Sequence, residues 1–134
     1  MTQVEGAPTG GFLEHVGFRL IDWSENFARL TLDVEPHHFN VLGITHGGVI
    51  LTALDYACGI SGCYRAPPGK RALSVTISLS TNFVKPLTEG RMIAEGRVVG
   101  GGRTIFFAES KITDSQGNLI ATASGAFKRI TDRK

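Results

Sequence analysis

GITHGGVILTALDYACGISGCY, residues 43–64, decides how this chain folds. Its apolar residues Val49, Ile50, Leu51, Leu54, Tyr56, Ala57 and Ile60 surround a helical wheel, the pattern of a helix enclosed by the rest of the protein. The spacing predicts that helix over 47–64, closed by Pro67-Pro68-Gly69, where neither proline can extend it. One stripe departs from the oily surround. Gly48, Thr52, Asp55, Gly59 and Gly62 are spaced 4, 3, 4 and 3 apart, so they share a narrow line of small or polar residues on which Asp55 is alone as a charge.

Beyond the prolines the period changes to two. Leu73, Val75, Ile77 and Leu79 alternate with Ser74, Thr76, Ser78 and Ser80, and Met92, Ala94, Gly96 and Val98 alternate with Arg91, Ile93, Glu95 and Arg97. Two more strands are expected at about 103–113 and 119–130, joined by Asp114-Ser115-Gln116-Gly117-Asn118, which is turn chemistry. Upstream, Ala28, Leu30, Leu32 and Val34 mark a half-buried strand, preceded by a hairpin turn over Asp22 to Asn26 and a short turn of helix over 11–16. The expected class is α+β: one long buried helix and about six mostly antiparallel strands. A sheet must hide one face, and the 47–64 segment is the only apolar element long enough to cover it.

With 134 residues, 42% of them apolar, one compact domain over 1–134 is expected. Net charge is +2, and the basic residues are scattered apart from Arg65, Lys70 and Arg71, which argues against a nucleic-acid-binding stripe. No stretch resembles a membrane span, and MTQVEGAPTGG at the start has no basic-then-apolar signal pattern, so a cytoplasmic location is expected. Cys58 and Cys63, five residues apart, point about 140° away from one another around a helix, so they cannot pair within it. They read as small buried residues of a reducing compartment. His37 and His38 read as loop or surface residues, no His/Cys/Asp spacing suggests a metal, and no cofactor is expected.

The predicted helix brings together the parts of a reaction. A carboxylate in a shielded cleft suits general-base or nucleophilic chemistry. The structural alternative is that Asp55 only accepts hydrogen bonds from neighbouring hydroxyls and holds the packing. At the helix start, the N–H groups of Gly47 and Gly48 have no partner within the helix and bear no side chain to keep a substrate oxygen away, which makes an oxyanion hole. The glycines could equally serve a tight entry turn, and His46 a simple cap. From Gly47 to Asp55 is eight residues, about 12 Å along the axis, whereas a carbonyl under attack needs both groups within about 3 to 4 Å. One helix cannot serve one carbonyl with both. If both act, the Gly47 end of one helix faces the Asp55 of another, across a symmetric dimer.

Asn40-x-x-Gly43-x-x-His46-Gly47-Gly48, then Asp55, Thr81-Asn82-Phe83-Val84-Lys85-Pro86, Gly100 to Thr104, and Gly117-Asn118-Leu119-Ile120-Ala121 resemble the hotdog-fold acyl-CoA thioesterases of the phenylacetate-degradation type. The resemblance runs from about Gly17 to Phe127. It implies a hotdog fold and thioester hydrolysis of an acyl-CoA substrate, with Asp55 as base or nucleophile and the Gly47 N–H polarising the carbonyl. It further implies that Asn40 and His46 orient water and carbonyl from the Gly47 subunit, while Ser74 comes from the Asp55 subunit. Dimers that pair into homotetramers are also implied, as is a basic surface for the CoA phosphates, for which Arg103, Lys70 and Arg71 are the candidates.

Two rivals stand beside this reading. A hotdog acyl dehydratase needs a histidine next to the acid, a part His46 would have to fill. A non-catalytic acyl-CoA-binding module would not need a buried acid facing a helix N-terminus.

Overall fold

A computed structural model of the protein describes residues 1–65 and 72–131. A short helix α1 (Gly10–Val16) leads into strands β1 (Arg19–Ser24) and β2 (Phe27–Asp33), a 3-10 turn over Pro36–His38, and the long helix α2 (Gly47–Ser61). Strands β3 (Ala72–Phe83), β4 (Arg91–Gly101), β5 (Ile105–Asp114) and β6 (Leu119–Thr131) follow. The six strands form one antiparallel sheet in the order β1-β2-β4-β5-β6-β3, with α2 packed against β4, β5, β3, β2 and β6. This is the hotdog arrangement, an α+β fold with one central helix.

The core lies between α2 and the sheet. Ile50, Ala53, Leu54 and Ala57 of α2 meet Leu30 and Leu32 of β2, Met92 and Ala94 of β4, and Ile112 of β5. Each fully buried side chain of the Leu, Ile or Met kind contributes about 1.5–3 kcal/mol. Helix and sheet come so close that a Cβ at Gly96 would collide with the Ala57 carbonyl, which is why β4 carries a glycine there. Under the far end of α2, the rings of Phe106 and Phe127 stack with centroids 5.4 Å apart, enclosing Cys58.

Three local expectations are corrected. The first hairpin turn is shorter than 22–26, because β1 runs to Ser24 and only Glu25 and Asn26 turn, with Asn26 left-handed at φ 61. Helix α2 stops at Ser61, well before the prolines. Its end is fixed by tertiary partners that take its last carbonyls: Trp23 Nε1 donates to Ile60 O, Ser74 Oγ to Gly59 O, and Arg129 Nε to Gly62 O just beyond. The helix is also not enclosed all round within one chain. Its first turns keep an open side, where Leu51 is 40% exposed, Gly48 is exposed and Thr52 and Asp55 are half-buried.

Strand β3 holds a further surprise. Ser74 and Thr76 face α2, while Val75 and Ile77 lie exposed on the opposite side. A register shift between Thr76 and Ser78 then reverses the parity, so that Leu79 packs into the core.

Candidate active site

The loop before α2 is built as a small bolted hairpin. Phe39 bridges Thr45, Asn40 N–H donates to Ile44 O, and Asn40 Oδ1 accepts from the N–H groups of Leu42 (2.9 Å) and Ile44 (3.3 Å). This Asx turn holds the side-chain oxygen of Asn40 still and leaves its amide nitrogen without a partner among the described residues. Thr45 fixes the loop to the core, its N–H and its hydroxyl both donating to Leu87 O.

His46 is the N-cap of α2. Its ring Nδ1 accepts from Gly48 N–H at 2.7 Å, which makes Nδ1 the unprotonated nitrogen and leaves Nε2 to carry the hydrogen. The expectation that both glycine amides are open is therefore corrected: Gly48 N–H is consumed by the cap. Gly47 N–H finds no acceptor among the described residues. Gly48 is a glycine for a steric reason, since a Cβ there would come within 3.0 Å of that same Nδ1. Gly47, by contrast, has room, with only the Phe83 ring at 3.5 Å.

Gly47 and Asn40 share the wall of a cavity of about 390 Å³ whose other walls are largely apolar, Ile44, Ile50, Phe83 and Ile120 among them. Asp55 does not line it. The carboxylate lies two turns further along α2, at half-buried depth, and accepts a 2.6 Å hydrogen bond at Oδ1 from the hydroxyl of Thr76. Thr76 was not singled out by the sequence, although it stands in the same hydroxyl stripe as Ser74. Ser74 itself donates to Gly59 O at 2.9 Å, one turn beyond Asp55, and does not touch the carboxylate.

Arg103 is exposed and lines a separate cavity of about 420 Å³ with Arg65, Arg129 and Tyr64. Arg129 is lowered from its ordinary value by burial and by the neighbouring charge of Arg65. Lys70 and Arg71 lie outside the described residues. Burial pushes the thiol of Cys58 up to about 11 and raises that of Cys63, so both are unreactive thiols at neutral pH. His38, expected at the surface, is 3% exposed and hydrogen-bonded at both ring nitrogens. Among the described residues no three His, Cys, Asp or Glu side chains come together to hold a metal, and no helix is long and apolar enough to cross a membrane.

The chain is 31% identical over 113 residues to a Saccharolobus solfataricus protein bearing an esterase name, an overlap of 84% of this chain and 73% of that one. Its fold matches a thioesterase of Haemophilus influenzae with TM-score 0.78 at 19% identity, covering 89% of this chain and 82% of the other. It also matches a Streptococcus mutans protein solved bound to acetyl CoA, with TM-score 0.74 at 24% identity, covering 88% and 92%. Residues 42–121, from the loop that carries the His46 cap to the start of β6, match the model of the thioesterase superfamily. A helix that opens on His-Gly-Gly with one backbone amide left to donate, and that carries an acid two turns on, is thus set in a chain belonging to the thioesterase superfamily, a family of thioester hydrolases.

Proposed function

We propose that the protein is an acyl-CoA thioesterase, hydrolysing an aryl- or fatty-acyl-CoA to free acid and CoA. One observation carries the reading: Gly47, whose N–H has no acceptor among the described residues because the cap takes only Gly48 N–H, lines a largely apolar cavity beside Asn40. The thioester oxygen accepts from Gly47 N–H, which gains strength as negative charge develops on that oxygen. Asp55 either takes a proton from water, which adds to the carbonyl carbon, or adds to that carbon itself and gives an anhydride that water then opens. In both routes the C–S bond breaks, the thiolate leaves and is protonated from solvent, and the acid is released. No strong general acid is needed, because a thiolate is a good leaving group. His46 fixes the helix end with Nδ1 and presents its Nε2–H outward. A dehydratase needs its histidine beside the acid, and here the histidine is committed to the cap of the helix end.

The minimal unit of this reading is a homodimer, with a homotetramer as the full assembly. Strand β3 is a sheet edge of twelve residues without a charged side chain, and its Val75 and Ile77 are 48% and 56% exposed. Such an edge pairs readily with another copy of itself. Pairing there brings Asp55 and Thr76 to the subunit boundary, where the Gly47 end of the partner helix can meet them. Arg103, together with Arg65 and Arg129, is the proposed seat of the CoA phosphates. The two buried thiols fit a reducing, cytoplasmic setting.

The test is thiol release from a panel of aryl- and fatty-acyl-CoAs by the wild type and by Asp55→Asn. Turnover of the variant is expected to fall at least about a hundredfold, with an unchanged circular dichroism spectrum. A folded Asp55→Asn protein that releases thiol at the wild-type rate makes Asp55 a packing residue and removes the mechanism.

A further inference from the structure

His38 is a buried histidine with no part in the proposed chemistry, and both of its ring nitrogens are engaged. Nδ1 accepts from Glu35 N–H at 3.0 Å, so the hydrogen sits on Nε2, which donates to Val16 O at 2.7 Å. Val16 is the last residue of α1, and its carbonyl is one that the helix itself cannot satisfy. The ring therefore ties the start of the 35–46 loop to the end of α1. The backbone of the same residue reaches the other end of the loop, where His38 O accepts from His46 N–H at 2.8 Å. His46 is the cap that occupies Gly48 N–H and leaves Gly47 N–H to donate. Between these anchors stands Asn40. One residue thus links α1, the Asn40 turn and the N-terminus of α2.

We propose that His38 is the positioning residue of the site: it holds the loop so that Asn40 and Gly47 N–H stay together on the wall of the one cavity. This rests on the acyl-CoA thioesterase reading. It assigns to His38 an effect on turnover rather than on substrate capture, since the cavity walls belong to other residues. Misplacing a reacting group by about 1 Å costs up to about a hundredfold in rate, so an anchor of this kind is felt without touching the substrate.

The experiment compares His38→Phe, which keeps a ring and loses both polar bonds, with His38→Asn and His38→Gln. Asn keeps an acceptor near the Nδ1 place, and Gln keeps a donor near the Nε2 place. In His38→Phe, kcat for thiol release is expected to fall about tenfold or more with KM within about twofold, at a temperature where the variant is fully folded. Asn and Gln are expected to recover part of the loss. Amide exchange is read in parallel, and His46 and Gly48 N–H are expected to exchange about tenfold faster in the Phe variant while the interior of α2 is unchanged. Wild-type kcat in a folded Phe variant, or a loss that only tracks the folded fraction, overturns the proposal. If Phe fails to fold, the Asn and Gln variants decide by the same two readings. If the wild type hydrolyses no acyl-CoA, the thioesterase reading fails, and unchanged exchange at His46 and Gly48 then overturns the role of His38 on its own.

Discussion

At the scale of single residues, the site turns on which polar group is left over after local structure has taken its share. Gly47 and Gly48 look alike in the sequence, yet of the two only Gly47 N–H is without an acceptor among the described residues, because the His46 ring claims its neighbour. Replacing Gly47 by Val tests this. A Cβ at Gly47 meets only the Phe83 ring at ordinary contact distance, so the melting temperature is expected to change little. The branched side chain blocks approach to the N–H, and turnover is expected to fall by the loss of one oxyanion donor, about 2.7–4 kcal/mol in the barrier. Wild-type thiol release by Gly47→Val, measured by steady-state kinetics, would remove the oxyanion assignment. The hydroxyl beside the acid follows the same logic. Ser74 and Thr76 share one parity on β3 and both face α2, but Thr76 stands level with Asp55 while Ser74 stands level with Gly59. Two residues of strand are about 6.6 Å, more than a hydrogen bond can span, so the choice between them depends on the register of the strand against the helix.

At the scale of elements, the hairpin between β5 and β6 shows turn chemistry at its plainest. Asp114 Oδ1 accepts from Gln116 and Asn118 N–H, both at 2.9 Å, and Oδ2 accepts from the Asn118 side chain at 3.0 Å. These bonds, that from the Asn118 side chain foremost, hold the Asp114 carboxyl below its ordinary value of 3.8. A carboxyl lowered by folding adds stability above its unfolded value and loses it as pH falls through its folded one. Wild type is therefore expected to melt a few degrees above Asp114→Ala at neutral pH, and the gap is expected to close as pH drops below about 4. Thermal unfolding of both proteins between pH 7 and pH 2 measures it, and a gap independent of pH would detach the carboxylate charge from the turn. Strand β3 teaches the opposite lesson. Its alternation was plain in the sequence, but the inward face was not, because the bulge after Thr76 lets hydroxyls face the helix in one half and Leu79 in the other.

At the scale of the whole molecule, the separation of Gly47 from Asp55 makes a prediction that no single-chain site shares. Asp55 does not line the cavity that holds Gly47 and Asn40, and about 12 Å of helix axis lies between them. If the acid of one chain serves the amides of its partner, Asp55→Ala and Asn40→Ala proteins, each nearly inactive, should regain activity when unfolded together and refolded as a mixture. Random pairing makes about half the dimers mixed, each with one doubly damaged and one intact site, so about a quarter of all sites should work. A circular dichroism spectrum of each refolded parent accompanies the assay. Activity no higher than the mean of the two mutants refutes the shared site.

The sequence by itself determined the long helix, the strands of period two, the Asp114 turn and the α+β class, because these follow from the positions of apolar and turn-forming residues relative to near neighbours in the chain, while the hotdog arrangement was implied by the family resemblance of its motifs. It also marked His46-Gly47-Gly48 and Asp55 as unusual for a helix so apolar. The tertiary structure alone decided where α2 ends, since Trp23, Ser74 and Arg129 reach its last carbonyls from three different strands. It alone put Thr76 at the acid and buried His38 between α1 and the loop. Periodicity is a local property and survives reading one residue after another. Register, bulges and the bond from His38 Nε2 to Val16 O are set by residues far apart in sequence, and they become definite only when the chain has folded back on itself.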